Sequence, residues 1–210
     1  MNVAEEVANI LLEVKAVTLS VDPPYTWTSG IKAPIYCDNR LLISYPDERN
    51  KIIKFFIDLI LQKKLEFDII AGTATAGIPW AAFLANELNK PMVYVRPQPK
   101  GHGRGQMVEG TMPKNSRVLI VEDLISTGGS SLRSAQACQD EYDAIVVGVL
   151  AIFNYQMNKS KISFEQANIP LYNLSDFTTL IETASKNDYL KPEDKEIAMK
   201  WNKDPETWTV

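Results

Sequence analysis

The stretch Val118-Leu119-Ile120-Val121-Glu122-Asp123-Leu124-Ile125-Ser126-Thr127-Gly128-Gly129-Ser130-Ser131 sets two acids, then small hydroxyls and glycines, behind a short apolar run. Glycines let a backbone come close to a ligand, and a helix N-terminus offers free N–H groups to an anion. Residues 126–130, leading into a helix, would therefore cradle a phosphate. Glu122 and Asp123 would repel that phosphate. They suit neighbouring hydroxyls instead, such as the 2′ and 3′ of a ribose, whose hydrogen bonds they can accept. The ligand implied is a sugar phosphate with a free diol. The ordered Gly-Lys-Ser/Thr of a Walker A loop is missing. Serine, threonine and glycine also serve as turn and cap residues, but an adjacent Glu-Asp pair has no capping purpose at that position.

Four aliphatic residues ended by two carboxylates read as a strand buried on both faces of a parallel sheet. Such sheets bind ligands in the crevice beyond the carboxyl ends of their strands. A second short strand, Phe67-Asp68-Ile69-Ile70, runs into Ala71-Gly72-Thr73-Ala74-Thr75-Ala76-Gly77. Its small residues would let backbone amides face a second anionic group; a tight turn before a helix is an equal alternative. Residues 94–110 form a long polar connection rich in Gly and Pro, carrying Arg96, Lys100, His102 and Arg104. Long connections without structure inside a compact domain are usually functional or disordered. His102 is the only histidine in the chain. Beside basic residues it fits a pyrophosphate contact, and the glycines would let the loop close over a substrate. A solvated basic loop is the competing reading.

These segments need a scaffold, and the remaining pattern supplies one. Val3, Val7, Ile10, Leu11 and Val14 recur at helical spacing, and residues 25–40 read as short strands and turns. Ser44-Tyr45-Pro46-Asp47 reads as a helix start with a hydroxyl cap, and Ile52, Ile53, Phe55, Phe56, Leu59 and Ile60 carry that helix. A helix is expected at about 78–88, strands at 91–95, 144–152 and 171–174, and a helix at about 177–184. The polar tail from Lys186 reads as a terminal helix and an extended end. Strands alternating with helices give an α/β fold with a largely parallel sheet. At 210 residues, one domain is the natural count. A net charge of -4, with no local cluster of Lys and Arg, argues against a general nucleic-acid binder. No apolar run reaches membrane-spanning length, and the acidic start lacks the basic residues of a secretion signal. Cys37 and Cys138 are far apart and show no metal-ligand spacing, so a reducing cytoplasm is the expected compartment.

The Glu122–Ser131 stretch closely resembles the motif by which type I phosphoribosyltransferases bind 5-phosphoribosyl 1-diphosphate (PRPP). Residues 25–36 and the following Asp38-Asn39-Arg40 resemble the N-terminal substrate segment of the orotate-specific members. The pattern Arg-x-x-x-Lys-x-His-Gly at Arg96, Lys100, His102 and Gly103 resembles their catalytic loop. The likeness, to the short bacterial form, runs from the opening helix to about Phe177. It implies the type I phosphoribosyltransferase fold: a mostly parallel central sheet flanked by helices, as a single domain over 1–210 with a small N-terminal hood of about residues 1–45 packed on the core.

By position, the resemblance implies that Arg96, Lys100 and His102 contact the pyrophosphate of PRPP, with Thr73 of the second small-residue loop also at PRPP. Glu122 and Asp123 would hold the ribose hydroxyls. Leu124, Ile125, Ser126, Thr127, Gly128, Gly129 and Ser130 complete the PRPP site, residues 126–130 around the 5′-phosphate. Lys100, His102 and Asp123 are the implied catalytic residues, and Ser126, Lys32 and Tyr36 the implied orotate contacts. Mg²⁺ is the implied cofactor, bound mainly through PRPP rather than by protein ligands. A homodimer is implied whose glycine-rich loop is shared between subunits, with no nucleic acid or membrane as partner. Two positions depart from the pattern. Pro97 stands where many relatives carry lysine, and Phe153-Asn154-Tyr155-Gln156 lacks the arginine many use for the orotate carboxylate, leaving backbone amides of residues 25–36 or Lys32 for that task. The expected reaction is transfer of the phosphoribosyl group to orotate in pyrimidine synthesis. The alternatives are another nucleobase as acceptor, or a PRPP-sensing regulator without catalysis.

Overall fold

The computed structural model of the chain describes residues 2–27, 30–99, 105–205 and 207–208. A capping box between Asn2 and Glu5 starts helix α1 (Val3–Glu13). Four short strands follow, β1 (Val17–Leu19), β2 (Tyr25–Thr26), β3 (Lys32–Ala33) and β4 (Ile35–Cys37), then a 3₁₀ turn over Asn39–Ser44. The main body runs α2 (Pro46–Gln62), β5 (Ile69–Thr73), α3 (Gly77–Leu88), β6 (Met92–Val95), β7 (Val108–Glu109), β8 (Arg117–Ile125), α4 (Gly129–Tyr142), β9 (Ile145–Asn154), α5 (Asn158–Ala167), β10 (Leu171–Asp176), α6 (Phe177–Lys186) and α7 (Pro192–Lys203).

Six strands form one sheet in the order β10-β9-β8-β5-β6-β7. All pairings are parallel except β6 with β7. From β5 the chain moves outward to β6 on one side, and from β8 outward to β9 and β10 on the other. The strand order therefore reverses between β5 and β8, and a sheet of this kind opens its ligand crevice at that point. Alternation along β8 sends Leu119 and Val121 into one core with Ile70, Leu150 and Ile152, while Val118 and Ile120 join Ile69, Ala71, Val149 and Ala151 in a second core on the opposite face. The expected α/β fold with a mostly parallel, doubly covered sheet is the one observed.

Several local expectations need correction. The apolar strand does not end at the carboxylates. It continues through Leu124 and Ile125, which pair with Phe153 and Asn154 of β9, so Glu122 and Asp123 are strand residues. Ser44 is not the cap of α2; it closes the 3₁₀ turn, Tyr45 caps without a side-chain bond, and Pro46 opens the helix. Helix α5 carries no sequence signal, because Asn, Ser, Lys, Glu and Gln outnumber its apolar residues Ile162, Phe164 and Ala167. The connection from residue 94 to 110 is ordered at both ends: Tyr94 and Val95 pair with Glu109 and Val108, and the carboxylate of Glu141 accepts hydrogen bonds from the backbone of Met107 and Val108 at 2.6 and 3.2 Å. Among the described residues no helix is long and apolar enough to cross a membrane.

The start of α3 touches the strand that carries the acids. A Cβ added at Gly77 would overlap the carbonyl oxygen of Val121 and stand 3.2 Å from the Cα of Glu122. Both neighbours are backbone and cannot swing aside. Gly77→Ala is expected to destabilise the fold by about 2–3 kcal/mol, lowering Tm by roughly 5–10 °C. Thermal denaturation checks this, and an unchanged Tm would contradict the close approach.

Candidate active site

The carboxyl ends of β5 and β8 lie side by side, with Gly72 opposite Val121. The small-residue loop after β5 and the Ser/Thr/Gly loop after β8 therefore share one edge of the sheet. Glu122 and Asp123 are both buried there. Their carboxyl groups also interact with each other through a side-chain hydrogen bond. Glu122 accepts hydrogen bonds from Ser130 Oγ and Ser131 Oγ on α4, each at 3.2 Å. Asp123 lies on the side of the 3₁₀ turn, where the buried Asn39 donates from Nδ2 to its backbone carbonyl at 2.7 Å.

Burial first, and then the charge of Asp123, push Glu122 up to about 8. Burial also raises Asp123, opposed by hydrogen bonds to its charged form and by the nearby Arg40. A carboxyl raised in the folded state holds its proton after the unfolded chain has released its own. Its contribution to stability is full below the unfolded value of 4.5 and declines as pH rises through the folded value. Glu122 is therefore expected to take stability from the ligand-free protein between pH 5 and 8, by at most about 1.4 kcal/mol per pH unit. Glu122→Gln should flatten that decline in urea denaturation at stepped pH; identical slopes in both proteins would contradict the assignment.

Residues 126–130 form the mouth between β8 and α4. Gly128 caps the helix with φ +80° and, having no side chain, makes no capping bond to the first N–H groups of α4. These donors are the ones a helix leaves unsatisfied, and they favour an anion. Gly128 is packed against Phe164 of α5, whose Cε2 would lie 2.6 Å from an added Cβ. Helix α5 thus fixes the position of this loop. Arg133 brings its Nη1 to 3.3 Å from where a Cβ on Gly129 would stand, adding positive charge beside the loop. Ser130 is turned toward Glu122, Ser126 is half-buried and Thr127 is exposed. In the neighbouring loop the peptide between Ala74 and Thr75 is cis. The Thr73 hydroxyl is buried and has no hydrogen-bond partner among the described residues.

The N-terminal segment covers the Asp123 side. Tyr36 is 46% exposed and its ring centroid is 5.9 Å from that of Tyr25. Lys32 Nζ donates to Thr26 Oγ1 at 2.7 Å. Cys37 donates from Sγ to Asn39 Oδ1 at 3.2 Å, and its thiol is raised by burial and then by Asp123 and Asp38. Trp27, Tyr155 and Trp201 pack ring against ring, and Trp201 Nε1 donates to the carbonyl of Lys32 at 2.9 Å. The terminal helix α7 thereby ties down the segment that holds Lys32 and Tyr36. The tail's hint of this role is the spacing of Ile197, Ala198 and Trp201 on one helical face.

Arg96 begins the glycine-rich connection, where its Nη1 lies 3.2 Å from Glu109 Oε1 on β7. Lys100, His102 and Arg104 lie outside the described residues. At the end of β9, where an arginine is absent, Asn154 accepts from the backbone of Gln156, and Gln156 accepts from Thr178. A separate cavity of about 630 Å³ lies along α5 and is lined by Met157, Lys161 and Asn168 among others; none of the expected site residues borders it.

A phosphoribosyl transferase domain matches residues 44–163. Orotate phosphoribosyltransferase of Coxiella burnetii is 51% identical over 208 residues, covering 99% of each chain. Among solved structures, orotate phosphoribosyltransferase from Aeropyrum pernix is 26% identical with a TM-score of 0.73, covering 85% of this chain and 99% of its own. Leishmania donovani UMP synthase shares the fold, with a TM-score of 0.80 at 23% identity over 95% of this chain, which spans 42% of that protein. A sheet that reverses between β5 and β8, two buried acids at the reversal and relatives at this identity over the whole length have one reading: the chain belongs to the orotate phosphoribosyltransferases of the phosphoribosyl transferase domain family.

Proposed function

We propose that this site joins N1 of orotate to C1 of the ribose of PRPP and expels pyrophosphate, with inversion at C1. The observation that carries the reading is the pairing of Glu122 and Asp123 with the uncapped N-terminus of α4 at the point where the strand order reverses. The N–H groups of α4 and the hydroxyls of Ser126 and Thr127 would take the 5′-phosphate, with Arg133 alongside. Glu122 and Asp123 would accept the ribose hydroxyls. As the C1–O bond to pyrophosphate breaks, the ring becomes cationic, and these carboxylates favour that charge. Their raised proton affinity in the free protein means that binding must draw them toward the ionised form. The exposed ring of Tyr36 offers a face for the pyrimidine, with Ser126 at its edge.

The leaving pyrophosphate gathers negative charge, which Arg96, Lys100 and His102 would stabilise. Arg96 must then leave or share its bond to Glu109. Among the described residues no group of three His, Cys, Asp or Glu side chains is arranged to hold a metal. The donors that remain, PRPP's own oxygens beside the Glu122–Asp123 pair, suit Mg²⁺. When bound, the ion supplies charge neutralisation at the leaving group. No covalent nucleophile is required, and the chemistry rests on position and electrostatics.

The reverse reaction tests this. With pyrophosphate and Mg²⁺, the protein is expected to convert orotidine 5′-monophosphate to orotate and PRPP, and to leave AMP and GMP intact. Turnover of a purine nucleotide without orotidine 5′-monophosphate would overturn the choice of base.

A further inference from the structure

We infer that Arg40 holds the carboxylate of orotate, through the edge of its guanidinium that Asp38 leaves free. The inference rests on the reading above that orotate is the acceptor. A guanidinium has two edges that can each take a carboxylate in a fork. Asp38 occupies one: Nε donates to Oδ1 at 2.6 Å and Nη2 to Oδ2 at 2.7 Å. Asp38 Oδ1 also accepts from the backbone N–H of Arg40, so the side chain is clamped against its own turn. The Nη1 hydrogens and one on Nη2 remain, and the side chain is 63% exposed.

The clamp is fixed relative to the chemistry. Its neighbour Asn39 is fully buried and bonded to the backbone of Asp123. The charge of Arg40 is felt by Asp123, and its own proton affinity reflects Tyr36. One short segment therefore carries an aromatic face at Tyr36, the Asn39 that bonds to the backbone of Asp123, and a carboxylate-shaped cation at Arg40. Orotate is a planar ring bearing one carboxylate, and this pairing matches it. Lys32 donates to Thr26 Oγ1 and offers a point charge without the planar fork that matches a carboxylate, and Asn154 and Gln156 are neutral and engaged with their neighbours. In place of the expected backbone amides of residues 25–36 or Lys32, the geometry favours Arg40.

Steady-state kinetics of three variants test the role. Arg40→Gln is expected to lower kcat/KM for orotate about thirtyfold, with the KM for PRPP changed less than about threefold. The preference for orotate over uracil, which lacks the carboxylate, should shrink by the same factor. Arg40→Lys keeps the charge beside Asp123 but loses the fork, so it should not restore orotate use. Asp38→Asn frees the guanidinium and should give an intermediate defect. Full activity in Arg40→Lys, with the Arg40→Gln loss falling on PRPP, would make Arg40 a support for Asp123 and overturn the proposal. Unaltered orotate kinetics in Arg40→Gln would also overturn it. If the unaltered protein itself fails to use orotate, the reading of the site fails, and the proposal with it.

Discussion

Asp123→Asn is expected to lower kcat/KM for PRPP by about 10²–10³-fold while leaving the fold intact. The amide keeps the shape of the carboxylate but cannot carry the charge that favours a cationic ribose ring. Stability should hardly suffer. The bond that ties Asp123 to Asn39 uses the backbone carbonyl, which the substitution leaves in place. Burial already disfavours the ionised carboxylate in the free protein, so a neutral side chain costs little there. A thermal melt and PRPP kinetics on the same preparation separate the two effects. Turnover and PRPP affinity equal to the parent would remove Asp123 from the ribose site.

Lys100→Ala is expected to cut kcat by about a hundredfold or more, with a smaller effect on orotate binding. A cation that meets charge arising only on the departing pyrophosphate acts in the transition state and little in the ground state. A variant that raised only the KM for orotate would contradict this role. The same variant tests whether the loop is shared between two subunits, as the resemblance implies. In a two-fold dimer both sites are built alike. Mixing Lys100→Ala with Asp123→Asn chains and allowing exchange would place both defects in one site of each heterodimer and neither in the other. About a quarter of all sites should then be intact if the loop crosses between subunits. Exchange shown by tagged pull-down, without returning activity, would mean that the loop serves its own subunit.

The parts of the site that were legible in the sequence are those written in consecutive residues. The apolar run of β8, its two acids and the Ser/Thr/Gly loop announce a strand, a crevice and a helix N-terminus by composition alone. Composition nonetheless predicts too short a strand, because the acids look like an end. In the structure Leu124 and Ile125 extend the pairing to β9, which buries both carboxylates. What was not legible depends on residues far apart in the chain. Asn39 meets Asp123 across 84 positions, and Trp201 meets Lys32 across 169. Phe164 backs Gly128 from a helix whose composition hides it. Such contacts leave no period and no spacing. Arg40 illustrates the middle case: its segment was recognised, but its clamp by Asp38 emerges only from side-chain geometry.

The most direct measurement incubates the purified protein with PRPP and Mg²⁺, offering orotate, uracil, adenine, hypoxanthine and guanine in separate reactions. Nucleotide and pyrophosphate are quantified in each. Orotate should be consumed, with orotidine 5′-monophosphate and pyrophosphate appearing in equal amounts, and the other bases should give little or no nucleotide. Nucleotide formed from a purine or from uracil in preference to orotate, or from none of the five, would contradict the assignment of the site.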